Sequence, residues 1–144
     1  MMKNNYPELT LKSGREASLL RGHPWVFSGA VARIDGKASD GEIVLARDAR
    51  GQALGLGFFN RKTDIAFRFL TGDCHQAVDA AFWRGRVKAA LSLRQRVLSS
   101  GTNAYRLINA EGDGFPGLIV DVYNDTLVIS VTTAGMEKHK QTIL

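Results

Sequence analysis

Gly14-Arg15-Glu16-Ala17-Ser18-Leu19-Leu20-Arg21-Gly22-His23-Pro24-Trp25-Val26-Phe27-Ser28-Gly29-Ala30-Val31 is the segment around which the rest of the chain arranges itself. Glu16 to Leu20 reads as one short helical turn with Ala17 and Leu20 on one side, bracketed by Arg15 and Arg21. Gly22-His23-Pro24 must end it, because proline lacks the N–H that would continue the helix and restricts the residue before it. Trp25 to Phe27 then reads as an apolar strand. The sequence thus predicts a glycine turn, a helical turn, a rigid corner and a strand, with a cation or an aromatic ring at each bend. Such groups suit a phosphate backbone and an unstacked base.

Upstream, Leu9-Thr10-Leu11 alternates as a strand does and runs into the turn Lys12-Ser13-Gly14. Downstream, Val31 to Ile34 resumes strand character and Asp35-Gly36-Lys37 turns it. Glu42 to Arg47 and Ala53 to Phe59 form a hairpin across Asp48-Ala49-Arg50-Gly51. Gly55 and Gly57 mark a bulge or a close backbone approach in the return strand. After the polar loop Asn60 to Asp64, Ile65 to Leu70 is a last strand. Short strands punctuated by turns, with one early helix, predict a small, mainly β barrel.

A second region begins near Cys74. Asp79 caps a helix expected from about Ala80 to Ser99, whose apolar residues (Phe82, Trp83, Val87, Ala90, Leu91, Leu93, Val97, Leu98) form one broad face. Arg84 and Lys88 lie opposite. Arg86 and Arg94 project within the apolar arc, where a guanidinium needs carboxylates or carbonyls. The nearest acidic cluster is Glu111-Gly112-Asp113, between strands expected at Tyr105 to Ala110 and Leu118 to Tyr123. Arg94 is therefore expected to pair with Glu111 or Asp113, as a brace rather than as catalytic machinery. A third strand, Leu127 to Thr132, and a helix from Gly135 with Thr133 as N-cap complete the pattern.

Composition bounds the function. The chain has 144 residues, 44% of them hydrophobic, enough for one ordinary domain or two small ones with a core. The net charge of +5 favours an anionic partner. A single cysteine excludes an intrachain disulfide and points to a reducing compartment. The N-terminal residues lack the apolar core of a signal peptide, and no apolar run is long enough to span a bilayer. A cytoplasmic protein without a membrane partner is expected.

Several motifs invite chemical readings. Gly112-Asp113-Gly114-Phe115-Pro116-Gly117 matches G-x-G-x-x-G, but it leads into a strand, whereas a dinucleotide loop opens a helix whose N–H groups hold the pyrophosphate. It reads as a connection. Cys74 has no activating neighbour except His75 and reads as an incidental junction residue rather than a nucleophile. His23, His75, His139 and Cys74 lack metal-ligand spacing, so no metal is expected. Trp25 reads first as a core aromatic, because strands bury alternate side chains. Residues 1–73 carry 11 basic and 8 acidic side chains, a surplus that matters only if folding gathers the cations on one side.

The succession of strand, Lys12-Ser13-Gly14 turn, short helix, Gly22-to-Phe27 corner, Asp40-to-Asn60 hairpin and Ile65-to-Leu70 strand resembles a PUA domain, a compact RNA-binding pseudo-barrel. Its wording resembles the amino-terminal part of bacterial S-adenosylmethionine-dependent methyltransferases that make 5-methylcytosine in large-subunit ribosomal RNA. The second region strengthens the likeness: the family's EGD-x-x-PGL-x-VD-x-Y pattern appears here as Glu111-Gly112-Asp113, Pro116-Gly117-Leu118, Val120-Asp121 and Tyr123.

The resemblance implies an α+β architecture: a PUA-like β pseudo-barrel over residues 1–73, then an incomplete α/β domain of strand-helix-strand type over 74–144. It implies ribosomal RNA as partner. RNA would meet Lys12, Gly14 and Arg15 at the glycine turn and Arg21, His23 and Trp25 at the corner, with Arg61, Lys62 and Arg68 as further cations. It also implies that the cofactor domain, with S-adenosylmethionine and the catalytic cysteines, lies outside this fragment, which alone is expected to be non-catalytic. A free-standing RNA-binding adaptor and a protein-interaction module remain as other readings.

Overall fold

A computed structural model describes residues 6–34 and 36–144. The turn expected at Asp35 and the N-terminal residues Met1 to Asn5 fall outside them. The chain divides into two compact units, Met1–Ala77 and Val78–Leu144.

The first unit contains β1 (Glu8–Leu11), α1 (Ala17–Leu20), β2 (Trp25–Phe27), β3 (Val31–Ile34), β4 (Ile43–Arg47), β5 (Ala53–Phe59) and β6 (Ile65–Thr71). The strands form one sheet in the order β2-β6-β5-β4-β1-β3. All neighbouring pairs are antiparallel except β1 with β4. The two edge strands, β2 and β3, are consecutive in the chain and joined only by the 3-10 turn Ser28–Ala30. Three residues of 3-10 helix advance about 6 Å, whereas the edges of a flat six-stranded sheet lie about 24 Å apart. The sheet therefore has to curl until its edges nearly meet, which makes it a pseudo-barrel. Its interior is lined by Leu9, Leu11, Leu19, Val26, Val44, Ala46, Phe59 and Phe67.

Two crowded glycines permit the curl. A Cβ on Gly57 would lie 2.4 Å from the Arg68 carbonyl oxygen and 2.5 Å from the Phe67 ring. Gly55 combines a φ of +150° with the same crowding, 2.6 Å from the Phe69 ring. Bulky aromatics on β6 thus pack directly on the β5 backbone. At the hairpin end, the buried Asp48 carboxylate accepts the N–H groups of Arg50 and Gln52 at 2.9 and 2.8 Å, closing the β4–β5 loop from its own side chain.

The second unit runs α2 (Ala80–Val97), β7 (Ala104–Asn109), β8 (Leu118–Tyr123), β9 (Thr126–Val131) and α3 (Ala134–Ile143). The three strands form an antiparallel meander in the order β7-β8-β9. Asp79 accepts the Phe82 N–H at 3.0 Å and Thr133 accepts the Met136 N–H at 3.3 Å, so each helix starts at a side-chain cap. The fully buried Trp83 stacks on Phe115 at 5.5 Å and meets His139 at 5.4 Å.

The broad apolar face expected of α2 is narrower in the fold. Its buried seam holds Trp83 and Ala90, with Arg86 and Arg94 half-buried beside them, while Leu91, Leu93 and Val97 are exposed. Helical periodicity sorts side chains into faces, but which face is covered depends on the sheet behind it.

Candidate nucleic-acid interface

The glycine turn is built locally. The Arg15 N–H donates to the Lys12 carbonyl at 3.0 Å, closing a four-residue turn whose third position, Gly14, has φ of +78°. Nothing crowds Gly14, so the positive φ is what calls for glycine there. The turn is anchored on the 3-10 segment: Lys12 N–H donates to the Ala30 carbonyl (2.9 Å) and Lys12 Nζ to the Gly29 carbonyl (2.8 Å).

The far end of α1 is closed by a Schellman arrangement. His23 N–H donates to Ser18 and Gly22 N–H to Leu19, both at 3.0 Å, with Gly22 at φ +87°. Pro24 then aims the chain into β2. His23 Nδ1 lies 3.2 Å from the Trp25 N–H, so the imidazole sits against the strand entrance, edge-on to the indole at 5.9 Å.

Along β2 only Val26 points into the core. Trp25 is half-buried and Phe27 is 52% exposed. The core position of this strand is thus Val26, which corrects the reading of Trp25 as a core aromatic. Alternation was the right rule, but a three-residue strand does not say which phase faces inward. Trp25 is paired in register with Arg68 of β6, whose guanidinium lies 5.5 Å from the indole centre.

These elements enclose an open cleft of about 360 Å³, lined by Arg15, Ser18, His23, Trp25, Phe27 and Gly29 among others. Among the described residues no carboxylate pairs with Arg15 or with the exposed Arg21 at the C-cap of α1. Arg15, His23 and Trp25 are therefore brought together, with Arg68 behind Trp25 and Lys12 and Gly14 in the adjoining turn. Arg61 and Lys62 do not line the cleft. They sit on the β5–β6 loop, Arg61 over the Phe59 ring at 5.4 Å, and that loop is tied to the 3-10 turn by the Asp64 carbonyl, which accepts Ser28 N–H at 2.7 Å. The sequence reading missed Phe27 and Ser18. For Phe27 the signal was present, since it lies two residues from Trp25 and must share its face.

A larger open cleft of about 530 Å³ flanks β7 in the second unit, lined by Arg94, Tyr105, Arg106, Asn109, Asp121 and Tyr123. Its cations are already engaged. Arg106 pairs with Asp121 across the strands (2.8 and 3.1 Å). Arg94 grips Asp113 with two bonds of 2.6 and 2.7 Å and donates to the Arg106 carbonyl at 3.0 Å. That grip holds the Asp113 carboxyl below its usual range against the opposing effect of burial, with help from the Asn109 N–H. Glu111 lies in the same 3-10 turn (Ala110–Asp113), its carbonyl accepting Gly114 N–H at 3.1 Å. Arg86, held below its ordinary range by burial, donates to the Gly114 carbonyl and stacks over Phe82 at 4.3 Å. With its charges neutralised internally, this cleft offers less to an anion than the one beside Trp25.

The glycine-rich loop does not fit a cofactor phosphate. It enters β8, and the room beside its glycines is taken: a Cβ on Gly114 would meet Arg86, and one on Gly117 would meet Thr133 at 2.3 Å. The Cys74 thiol is pushed up by burial and by Asp73, the opposite of an activated nucleophile. Among the described residues no group of three His, Cys, Asp or Glu side chains is placed to hold a metal, and no helix is long and apolar enough to cross a membrane.

Comparison with known proteins matches residues 9–72 to the family described as the PUA-like domain. The first unit has a PUA-like fold. Over nearly its whole length the chain is also homologous to proteins named Ribosomal RNA large subunit methyltransferase I. It is 41% identical over 141 residues to the one from Salmonella arizonae, covering 97% of this chain and 35% of that protein. It is 39% identical over 145 residues to the one from Klebsiella pneumoniae, covering 100% and 36%. The chain thus spans about a third of the length of these curated relatives. Among solved structures, a protein of Streptococcus mutans described as a SAM-dependent methyltransferase superposes with a TM-score of 0.80 at 20% identity, covering 94% of this chain and 35% of that one. SMU.776, described as a methyltransferase complexed with SAH, gives 0.81 at the same identity and coverage. Both share the fold of the PUA-like domain and of the unit that follows it.

Proposed function

We propose that this chain is the RNA-binding amino-terminal part of a cytoplasmic S-adenosylmethionine-dependent methyltransferase that makes 5-methylcytosine in large-subunit ribosomal RNA. The observation that carries the RNA-binding reading is the convergence of Arg15, His23, Trp25, Phe27 and Arg68 on one face of the PUA-like domain, with Lys12 and Arg21 at its margins. Cations there neutralise phosphates and fix the register of the RNA. The ring faces accept a base that is already unstacked, a contact tolerant of base identity. The methyl-transfer reading is supported by homology to the ribosomal RNA methyltransferases, and the choice of cytosine C5 by the resemblance of the Glu111-to-Tyr123 motif. The chain's own residues bind and orient. S-adenosylmethionine supplies the methyl group in the parent enzyme, and the crowded Gly112-to-Gly117 loop is not shaped to hold it.

The test is binding of this chain to a transcribed large-subunit ribosomal RNA domain, followed by fluorescence anisotropy across a salt series. Arg15→Ala and Arg21→Ala are each expected to reduce the salt slope by about one. Binding that ignores both substitutions and Trp25→Ala would overturn the interface. Methyl transfer by this chain alone would overturn its assignment as a binding part.

A further inference from the structure

Helix α2 is unusual in its charges: five arginines and lysines, no aspartate or glutamate. Two of the five, Arg86 and Arg94, face the sheet and are consumed by Gly114 and Asp113. The other three, Arg84, Lys88 and Arg96, are exposed and stand four and eight residues apart, with the exposed Ser92 between Lys88 and Arg96. Positions 84, 88, 92 and 96 form a single i±4 ridge, inclined about 26° to the helix axis. Each step rises about 6 Å, so the ridge is about 18 Å long. The Arg96 Nε donates to the Ser92 carbonyl at 3.3 Å, which keeps that side chain along the row. Among the described residues none of the three cations has an ion-pair partner.

The neighbouring row is small. Ala81, Gly85 and Ala89 are exposed, and nothing lies within 4 Å of a Cβ on Gly85. A polyanion can therefore approach the helix backbone closely, with the long cationic side chains rising beside it. A helix face that only needs to be wetted is better served by alternating charges, since Glu–Lys pairs at i,i+4 stabilise and like charges there destabilise by similar amounts. Arg84 and Lys88 are such a like-charged pair. The arrangement costs stability in the free protein, and an anionic ligand with regularly spaced charges offsets that cost.

We propose that the Arg84–Lys88–Arg96 ridge is a second RNA contact, independent of the cleft beside Trp25, that follows the phosphates of one strand, with Arg84 and Lys88 one step apart and Arg96 two steps further on. The 6 Å step is comparable with the spacing of phosphates along an RNA strand, and arginine forks suit phosphate oxygens. Choosing RNA as the polyanion rests on the function proposed above. The ridge itself stands on its own geometry.

The experiment uses the whole chain and two probes, a single-stranded poly(U) oligomer and an RNA duplex of about 20 base pairs, titrated over a range of KCl concentrations. The triple variant Arg84→Ala/Lys88→Ala/Arg96→Ala keeps or raises helix propensity, so circular dichroism and Tm should be unchanged or slightly improved. On poly(U) its salt slope should fall by about two, from about 0.7 per phosphate released. Trp25→Ala should weaken binding with the slope intact. An unchanged slope in the triple variant overturns the ridge while leaving the cleft standing. A lowered slope together with indifference to Trp25→Ala and Arg15→Ala keeps the ridge and overturns the cleft. Competition by a poly-glutamate peptide as effective as poly(U) at equal charge would overturn RNA as the partner and point to an acidic protein.

Discussion

Arg94 on α2 and Asp113 in the turn after β7 meet through two parallel hydrogen bonds, 2.6 and 2.7 Å long, with both side chains largely buried. The carboxylate also accepts the Asn109 N–H at 2.7 Å, so one acidic group ties the helix, the strand end and the glycine-rich turn together. Directly after Asp113, the Gly114-to-Gly117 segment is held by Arg86 and by Thr133, whose hydroxyl donates to the Pro116 carbonyl at 2.8 Å.

Removing one partner of this pair leaves a buried charge uncompensated. Asp113→Asn should destabilise the second unit by about 3 kcal/mol, visible as a lowered Tm and denaturation midpoint. Replacing both groups with apolar residues, Arg94→Met with Asp113→Leu, should recover much of that loss, because neither charge then needs a partner. If the single and double variants lose the same stability, the pair is not what braces the turn.

The same pair sets a pH dependence. The Asp113 carboxyl is held low in the folded chain by Arg94, so around its ordinary value of about 3.9 the unfolded chain binds more protons than the folded one. The stabilisation is fully present above that range and is lost as pH falls through the folded value. Melting curves between pH 7 and 3 should show a steeper acid loss for the native chain than for Asp113→Asn.

The aromatic face makes a separate prediction. Trp25→Ala and Phe27→Ala should each weaken RNA binding by about 1–3 kcal/mol, roughly 5- to 150-fold, while changing Tm little, since neither ring fills the core. Trp83 is fully buried, so in a Trp83→Phe background Trp25 is the sole indole and its fluorescence should change as RNA is added. A silent Trp25 at saturating RNA would argue against stacking there.

Gly57→Ala tests the curl of the sheet. The new methyl would press on the Arg68 carbonyl and the Phe67 ring, and neither is the loose end of a flexible chain. A loss of about 3 kcal/mol or more is expected, measured as soluble yield and urea midpoint. Gly14→Ala meets no such crowding and should cost only about 1–2 kcal/mol for its left-handed backbone.

Much of this molecule is written locally. The glycine and proline that close α1, the caps at Asp79 and Thr133, the hairpin around Asp48 and the alternation of β1 all follow from interactions within a few residues. Arg94 was legible as needing a carboxylate because its helical position fell inside an apolar arc. What lay beyond reach was any choice made by distant partners. Asp113 receives the guanidinium because the turn after β7 carries it to the helix. Val26 rather than Trp25 faces the core because the curled sheet encloses that side of a strand too short to declare its phase. Leu91, Leu93 and Val97 are exposed because the sheet covers only one stripe of α2. The order of residues sets the turns, the helix ends and the three-residue link between the sheet's edge strands. Long-range packing alone decides which side of each strand and helix is left open to a ligand, because burial is a property of the neighbour that arrives and not of the segment it covers.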